Sequence, residues 1–381
     1  MNESRDRADV VVIGGGVIGM AVARALAGRR AGRVVLIERA SLGREASYGA
    51  AGMLAPQAEA DSADEFFSLC CRSRDLYPAF ADDLQAESGI DIELDTTGTM
   101  YVAFSEHDQI EIDHRYDWQS KAGLRVEKID AEDARLLEPC ISAEVRSALR
   151  FPDDIQVENR RLLSALAVSI ENFGVHLMTG TTVESLRIEH EKIVGVETSQ
   201  GFVAAANVVI AGGAWTTFIA NSSTTIGSLR VEPVRGQMLC FEALPRLTEH
   251  VIYSPRGYIV PRRDGRLLAG STTEHAGFDK RMTGAGVHSI LSHALEISPA
   301  ISGLSLIDSW AGLRPRASDG LPVMGAAGET AGLFFATGHY RNGILLAPLT
   351  GELLAGLIMD NVVSPLWRAF SPDRFAGLTV D

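Results

Sequence analysis

Apolar positions along the chain fall into two patterns. Short unbroken runs rich in β-branched residues, Val10-Val11-Val12-Ile13, Val34-Val35-Leu36-Ile37 and Val208-Val209-Ile210, have the pattern of strands buried on both faces. Between the first two lies Met20-Ala21-Val22-Ala23-Arg24-Ala25-Leu26-Ala27, a stretch of good helix formers that Gly28 is placed to end. Helical spacing recurs over 64–85, in charged segments from about 106 to 138, and over 159–172, 285–297 and 345–359. Strand-like stretches occupy 101–104, 175–178, 182–188, 192–198, 201–210 and 332–337. Much of 231–273 also reads as strands, with turn signals at Pro255-Arg256-Gly257 and Asp264-Gly265. The opening strand, helix and strand predict an α/β chain with a parallel sheet.

What joins the first strand to its helix is Gly14-Gly15-Gly16-Val17-Ile18-Gly19, a G-x-G-x-x-G turn in the context that gives it meaning. Gly14 allows the tight turn, and Gly16 lets the backbone approach a pyrophosphate. Gly19 lets the helix pack on the sheet, with its N-terminus toward the phosphates. Glu38 ends the second strand and is placed to accept hydrogen bonds from ribose hydroxyls. An acid there disfavours a 2′-phosphate, hence NADP; FAD and NAD both remain open on these residues. The segment Gly43 to Pro56, GREASYGAAGMLAP, is rich in small side chains. Close approach to a flat ligand and close packing of a helix on the sheet explain it equally well.

Composition narrows the function classes. The 381 residues suit two domains, and 49 acidic against 35 basic residues give a formal charge of −14. So negative a chain is a poor partner for nucleic acid or anionic lipid. Its 4 cysteines and 9 histidines show no metal-ligand spacing, so no metal is expected and the thiols read as reduced. Arg5, Arg7 and the following apolar stretch imitate a signal peptide, but Glu3, Asp9 and the spaced glycines fit a strand–turn–helix better. The apolar stretches around 202–220 and 342–359 are interrupted by glycine, asparagine, proline or glutamate. A soluble, cytoplasmic protein with no membrane partner is expected.

Six pieces in order, GGGVIG with Glu38, AAGMLAP, PDDIQVE, GYIVPR, WAGLRPRASDG and GHYRNGILLAP, resemble the D-amino-acid-oxidase-like flavoprotein family, in its glycine oxidase branch of the thiamine-pathway type. The resemblance implies a Rossmann-type FAD-binding domain (1–81, 153–227 and 312–381) interleaved with an α+β substrate domain on a large antiparallel sheet (82–152 and 228–311). It also implies non-covalent FAD, since 314–325 lacks the cysteine that attaches flavin in sarcosine-oxidase relatives. Flavin contacts carry over to Val17, Ile18, Glu38, Arg39, Ala46, Ser47, Ala51, Gly52, Met53 and Val183. They continue through His339, Tyr340, Arg341, Asn342, Gly343, Ile344 and Leu345. A glycine-rich loop opening a helix has an independent reason to face an anion, although an ordinary strand-to-helix turn explains it as well.

By the same resemblance Arg314 holds the substrate carboxylate, Tyr258 assists it, and Arg341 is a further arginine of the substrate site. Arginine's planar fork suits a carboxylate; on composition alone a surface ion pair for each arginine and a core or sheet-face role for the tyrosine are the preferred readings. The implied reaction is hydride transfer from the substrate α-carbon to flavin. Glycine, dioxygen and water would give glyoxylate, ammonia and hydrogen peroxide, and sarcosine, N-ethylglycine and D-alanine are further candidates. The resemblance also implies a homo-oligomer, a tetramer in the family, serving thiamine thiazole biosynthesis. Two other classes stay open: a dehydrogenase passing electrons to another carrier, and a non-catalytic flavin-binding protein.

Overall fold

A computed structural model describes residues 7–220 and 229–375. Strand β1 (Arg7–Ile13) lies between two parallel neighbours, β2 (Val34–Glu38) and the strand Gly201–Ile210. Its alternate side chains enter two different cores: Val10 and Val12 on one face, Val11 and Ile13 on the other. The unbroken apolar run is the consequence of that double burial. Leu333–Thr337 and His176–Thr179 extend the sheet in parallel on either side. Val323–Ala326 adds an antiparallel edge, and the hairpin Val183–Glu189/Lys192–Thr198 branches from Gly201–Ile210.

One face of this sheet is covered by helices. Helix α1 (Val17–Gly28) is apolar nearly all round because it sits between the sheet and the helices Asn159–Asn172 and Gly343–Asp360. A Cβ on Gly351 would stand 2.7 Å from the Ala21 carbonyl oxygen, so that glycine lets the two helices touch. Among the described residues only Gly343–Asp360 has the length and apolarity to cross a membrane. More than half of it is buried in the fold against α1 and the helix Glu65–Ser88.

The second large sheet runs in the order 305–317, 231–242, 266–270, 258–261, 251–253, 99–103, 147–151, 127–130. It is antiparallel except where Val251–Tyr253 meets Thr99–Ala103. Leu239, Phe241, Ile259 and Leu267 face the helix Gly284–Ile297. The alternate residues Met238, Cys240, Tyr258 and Leu268 face the other way, toward Ala51. Period-two alternation thus gives this sheet a core face and a site face.

One local expectation is revised, and two other segments gain their local structure. The charged stretch 106–138 is not all helical: Glu127–Asp130 is an edge strand between the helices Glu106–Lys121 and Ala131–Leu137, recruited by pairing with Ser147–Phe151. The segment after Gly43 forms a helical turn (Ala46–Gly49), a strand (Met53–Leu54) paired with Ile155–Gln156, and a one-turn helix (Pro56–Glu59). The boundary expected at 311/312 falls within the continuous strand Ser305–Ala317, which hands the chain from the second sheet back toward the first.

Candidate active site

A cavity of about 410 Å³ lies where the C-terminal ends of the parallel strands meet the site face of the second sheet. The three motif glycines answer to different constraints. Gly14 has φ +109°, and a Cβ there would stand 2.4 Å from the Ala211 carbonyl oxygen. A Cβ on Gly19 would be 1.8 Å from the carbonyl oxygen of Gly14. Gly16 lines the cavity, and a Cβ there would meet only Ser47 Oγ, at 3.5 Å. The first and third are demanded by the protein's own packing, whereas the space before the second is open to a ligand. Glu38 is fixed by backbone donors, accepting the N–H of Gly15 at 2.8 Å and of Ala40 at 2.9 Å. These residues fit the phosphates and ribose of a dinucleotide.

Sequence reasoning missed the wall beside Arg39. Its guanidinium lies 3.7 Å from the centre of the Trp215 ring and bonds Glu45 at 2.8 Å. Trp215, Glu45 and Phe218 all line the cavity. The signal was present in Ala211-Gly212-Gly213-Ala214-Trp215, small residues leaving a buried strand, which places their backbone at the same strand ends as Gly14.

The small-residue segment both lines the cavity and packs on protein. Ala46, Ser47, Ala51, Gly52 and Met53 face the cavity, while Gly49 accepts a hydrogen bond from the Trp310 indole at 3.1 Å. Gly52 has φ +71°, and a Cβ would stand 2.1 Å from the Val157 carbonyl oxygen. Arg262, within the GYIVPR piece yet not singled out by the sequence, clamps this crossing. It is buried and donates to Val157 O at 2.9 Å, Gln156 Oε1 at 3.0 Å and the carbonyl of Ala51. Desolvation brings its pKa down to about 10, so it stays charged at neutral pH.

The C-terminal loop comes in from the opposite side. His339 is buried, which pushes its pKa down to about 3, and Nε2 lies 3.1 Å from Thr350 Oγ1; the ring is neutral. Tyr340 has φ +48°, and Asn342, Gly343 and Ile344 bring the start of Gly343–Asp360 to the cavity with no side chain capping it. Val17, Ile18 and Val183 line the cavity as well. Of the residues singled out from the sequence, only Gly19 and Leu345 do not. Gly19 is spent on packing, and Leu345 turns into the helical core, its carbonyl accepting from Ser73 Oγ at 2.6 Å.

Arg314, Tyr258 and Arg341 converge on the remaining part. Arg314 Nη1 donates to the Thr272 carbonyl at 3.0 Å and Nη2 to Ser271 Oγ at 2.8 Å, both neutral acceptors. Among the described residues no carboxylate pairs with it, and its guanidinium faces the cavity. Room for the guanidinium comes from Gly236 on the neighbouring strand, where a Cβ would stand 2.2 Å from Nη1. Among the described residues the buried Tyr258 hydroxyl has only the weakly accepting Met238 sulfur as partner, at 3.4 Å. Arg341 is engaged differently, donating to Glu59 at 3.1 Å and to the Tyr253 hydroxyl at 2.8 Å. No cysteine lines the cavity among the described residues.

Residues 9–357 match the family described as FAD dependent oxidoreductase (DAO). The chain is 39% identical over 374 residues to the glycine oxidase of Geobacillus kaustophilus, covering 97% of this chain and 98% of that one. A crystal structure of glycine oxidase from the same organism superposes with a TM-score of 0.92 at 36% identity, over 98% of this chain and 100% of the other. The bifunctional protein ThiO/ThiG of Synechocystis is 35% identical over 376 residues; the chain spans 54% of that protein's length.

Proposed function

The chain belongs to the family of FAD-dependent oxidoreductases, and from that premise we propose that it oxidises glycine and other small amines bearing one carboxylate. The observation that carries the reading is Arg314: a guanidinium facing the cavity, braced by neutral acceptors, with its charge uncommitted. A two-point charge-assisted contact from that fork would hold a substrate carboxylate and fix the α-carbon. The Tyr258 hydroxyl, free to leave its sulfur partner, would add a second donor to the same carboxylate.

FAD, when bound, supplies the two-electron acceptor. The chain's own part is to bind, orient and exclude water. The substrate nitrogen must be uncharged as the α-carbon loses its hydride, because its lone pair forms the imine. Hydrolysis of the imine gives glyoxylate and ammonia from glycine, and dioxygen as final acceptor gives hydrogen peroxide. The likeness to a bifunctional ThiO/ThiG protein supports a role in thiamine thiazole biosynthesis.

Anaerobic titration of the purified yellow protein with glycine, sarcosine, N-ethylglycine and D-alanine tests this. Bleaching of flavin absorbance by glycine, with peroxide on readmission of air, is the expected result. Bleaching without reoxidation by air would transfer the site to a dehydrogenase, and no bleaching by any amino acid would leave a flavin-binding protein.

A further inference from the structure

The guanidiniums of Arg314 and Arg341 and the carboxylate of Glu59 line the cavity, and Tyr253, which accepts from Arg341, stacks on Tyr258 at 5.6 Å between ring centres. Glu59 is no stray surface acid, because the helix that ends on it is anchored from several sides. The carboxyl of fully buried Asp154 accepts the N–H of Ala58 at 2.8 Å and of Gln57 at 3.2 Å. The buried Gln57 side chain donates to Gln119 at 2.9 Å and to the Arg125 carbonyl at 3.0 Å, and Arg115 donates to the carbonyls of Gln57 and Ala60. So held, Glu59 takes up one Nη of Arg341 at 3.1 Å, and that nitrogen also donates to Tyr253. The adjacent carboxylate holds Arg341 even more firmly protonated than a free guanidinium.

Two positive charges against one negative leave a single positive charge, the complement of one carboxylate on a substrate whose amine is neutral. We propose that Glu59 is a specificity-determining residue: by occupying Arg341 it sets the site for monocarboxylate amino acids and turns away those with a second acidic group. This rests on the amino-acid oxidase reading and adds its substrate charge class. A second carboxylate near Arg341 would meet Glu59, a like charge in a secluded place. With Glu59 neutral, Arg341 and Arg314 together would form a receptor for a dianion.

The test uses the FAD-loaded protein and two unreactive probes, acetate and malonate, followed by the change in flavin absorbance as each binds. Wild type should prefer acetate. Glu59→Gln should move the ratio of the two dissociation constants toward malonate by about tenfold, while Glu59→Asp, which keeps the charge, should stay close to wild type. In turnover, the kcat/KM ratio of iminodiacetate to glycine should rise in Glu59→Gln in the same sense. A ratio that moves less than about twofold in Glu59→Gln, or equally in Glu59→Asp, would overturn the proposal. Failure of the underlying reading shows separately, in wild type alone, as no response to glycine or to either probe.

Discussion

Arg314 lies opposite Val234 on the neighbouring strand and reaches diagonally over Gly236, whose missing side chain makes room for the guanidinium. Arg314→Ala should keep its FAD yet lose about 10³-fold in kcat/KM with glycine, two charge-assisted hydrogen bonds being worth roughly 4 kcal/mol in a dry site. Arg314→Lys should be intermediate because an ammonium cannot reproduce the fork, and Tyr258→Phe mildest. Gly236→Ala should fold and bind flavin, since its Cβ displaces only the end of a flexible side chain, but should raise KM for glycine. Steady-state kinetics beside flavin content would check the series; near-normal efficiency in Arg314→Ala would remove the carboxylate role. Arg314 itself was legible within its motif. Gly236 was not, because what demands it is a side chain 78 positions away, counted from 236 to 314.

Within the element that joins β1 to α1, spacing alone named the three glycines but could not rank their tasks. Gly16→Val should give folded protein with little or no bound FAD, as its side chain would enter the open space beside Ser47. Gly19→Ala should damage the fold instead, its Cβ falling on the Gly14 carbonyl. Circular dichroism together with flavin absorbance separates the two outcomes. The one-turn helix Pro56–Glu59 carries a pH signature through Asp154. Burial raises that carboxyl from 3.8 to about 7, despite the N–H donors of Gln57 and Ala58. Between those values the folded protein holds a proton that the unfolded chain has released, so this group's contribution to stability is largest in acid. It is lost as pH rises toward 7, by at most roughly 1.4 kcal/mol per pH unit. Measured by thermal melting from pH 4 to 8, the advantage of wild type over Asp154→Asn should shrink as pH rises and then level off. A difference that does not vary with pH would refute the assignment.

At the scale of the whole molecule, the cavity is a joint product of the two sheets. Trp215 and Phe218 follow a strand of the first, Phe278 lies beyond a strand of the second, and the Phe278 ring centre is 5.3 Å from that of Trp215 and 5.5 Å from that of Phe218. Lys280 bonds Glu45 across the same junction at 2.9 Å. A ligand spanning this junction should stabilise both sides together: added FAD should raise the melting temperature of the apo-protein, by the equivalent of about 2.7 kcal/mol at a hundred times its Kd. With no cysteine in the described cavity lining, acid precipitation should leave a white pellet and a yellow supernatant. Flavin retained in the pellet would show a covalent link.

From the sequence by itself came the α/β class, the glycine turn with Glu38, and the residues whose neighbours in the chain form a motif, Arg314 and Arg341 among them. Such features are local: a strand buried on both faces, a tight turn and a helix start leave their mark within a few residues. Tertiary structure alone decided that, among the described residues, Arg341 meets a carboxylate while Arg314 meets only neutral acceptors. It also decided that Arg262 clamps the segment crossing at Gly52, and that Leu345 faces the core. The partners of Arg341 lie at positions 59 and 253, and those of Arg262 at 51, 156, 157 and 159. Whether a buried charge is neutralised or left for a ligand depends on which distant groups the fold brings within hydrogen-bond reach, and no spacing along the chain encodes that.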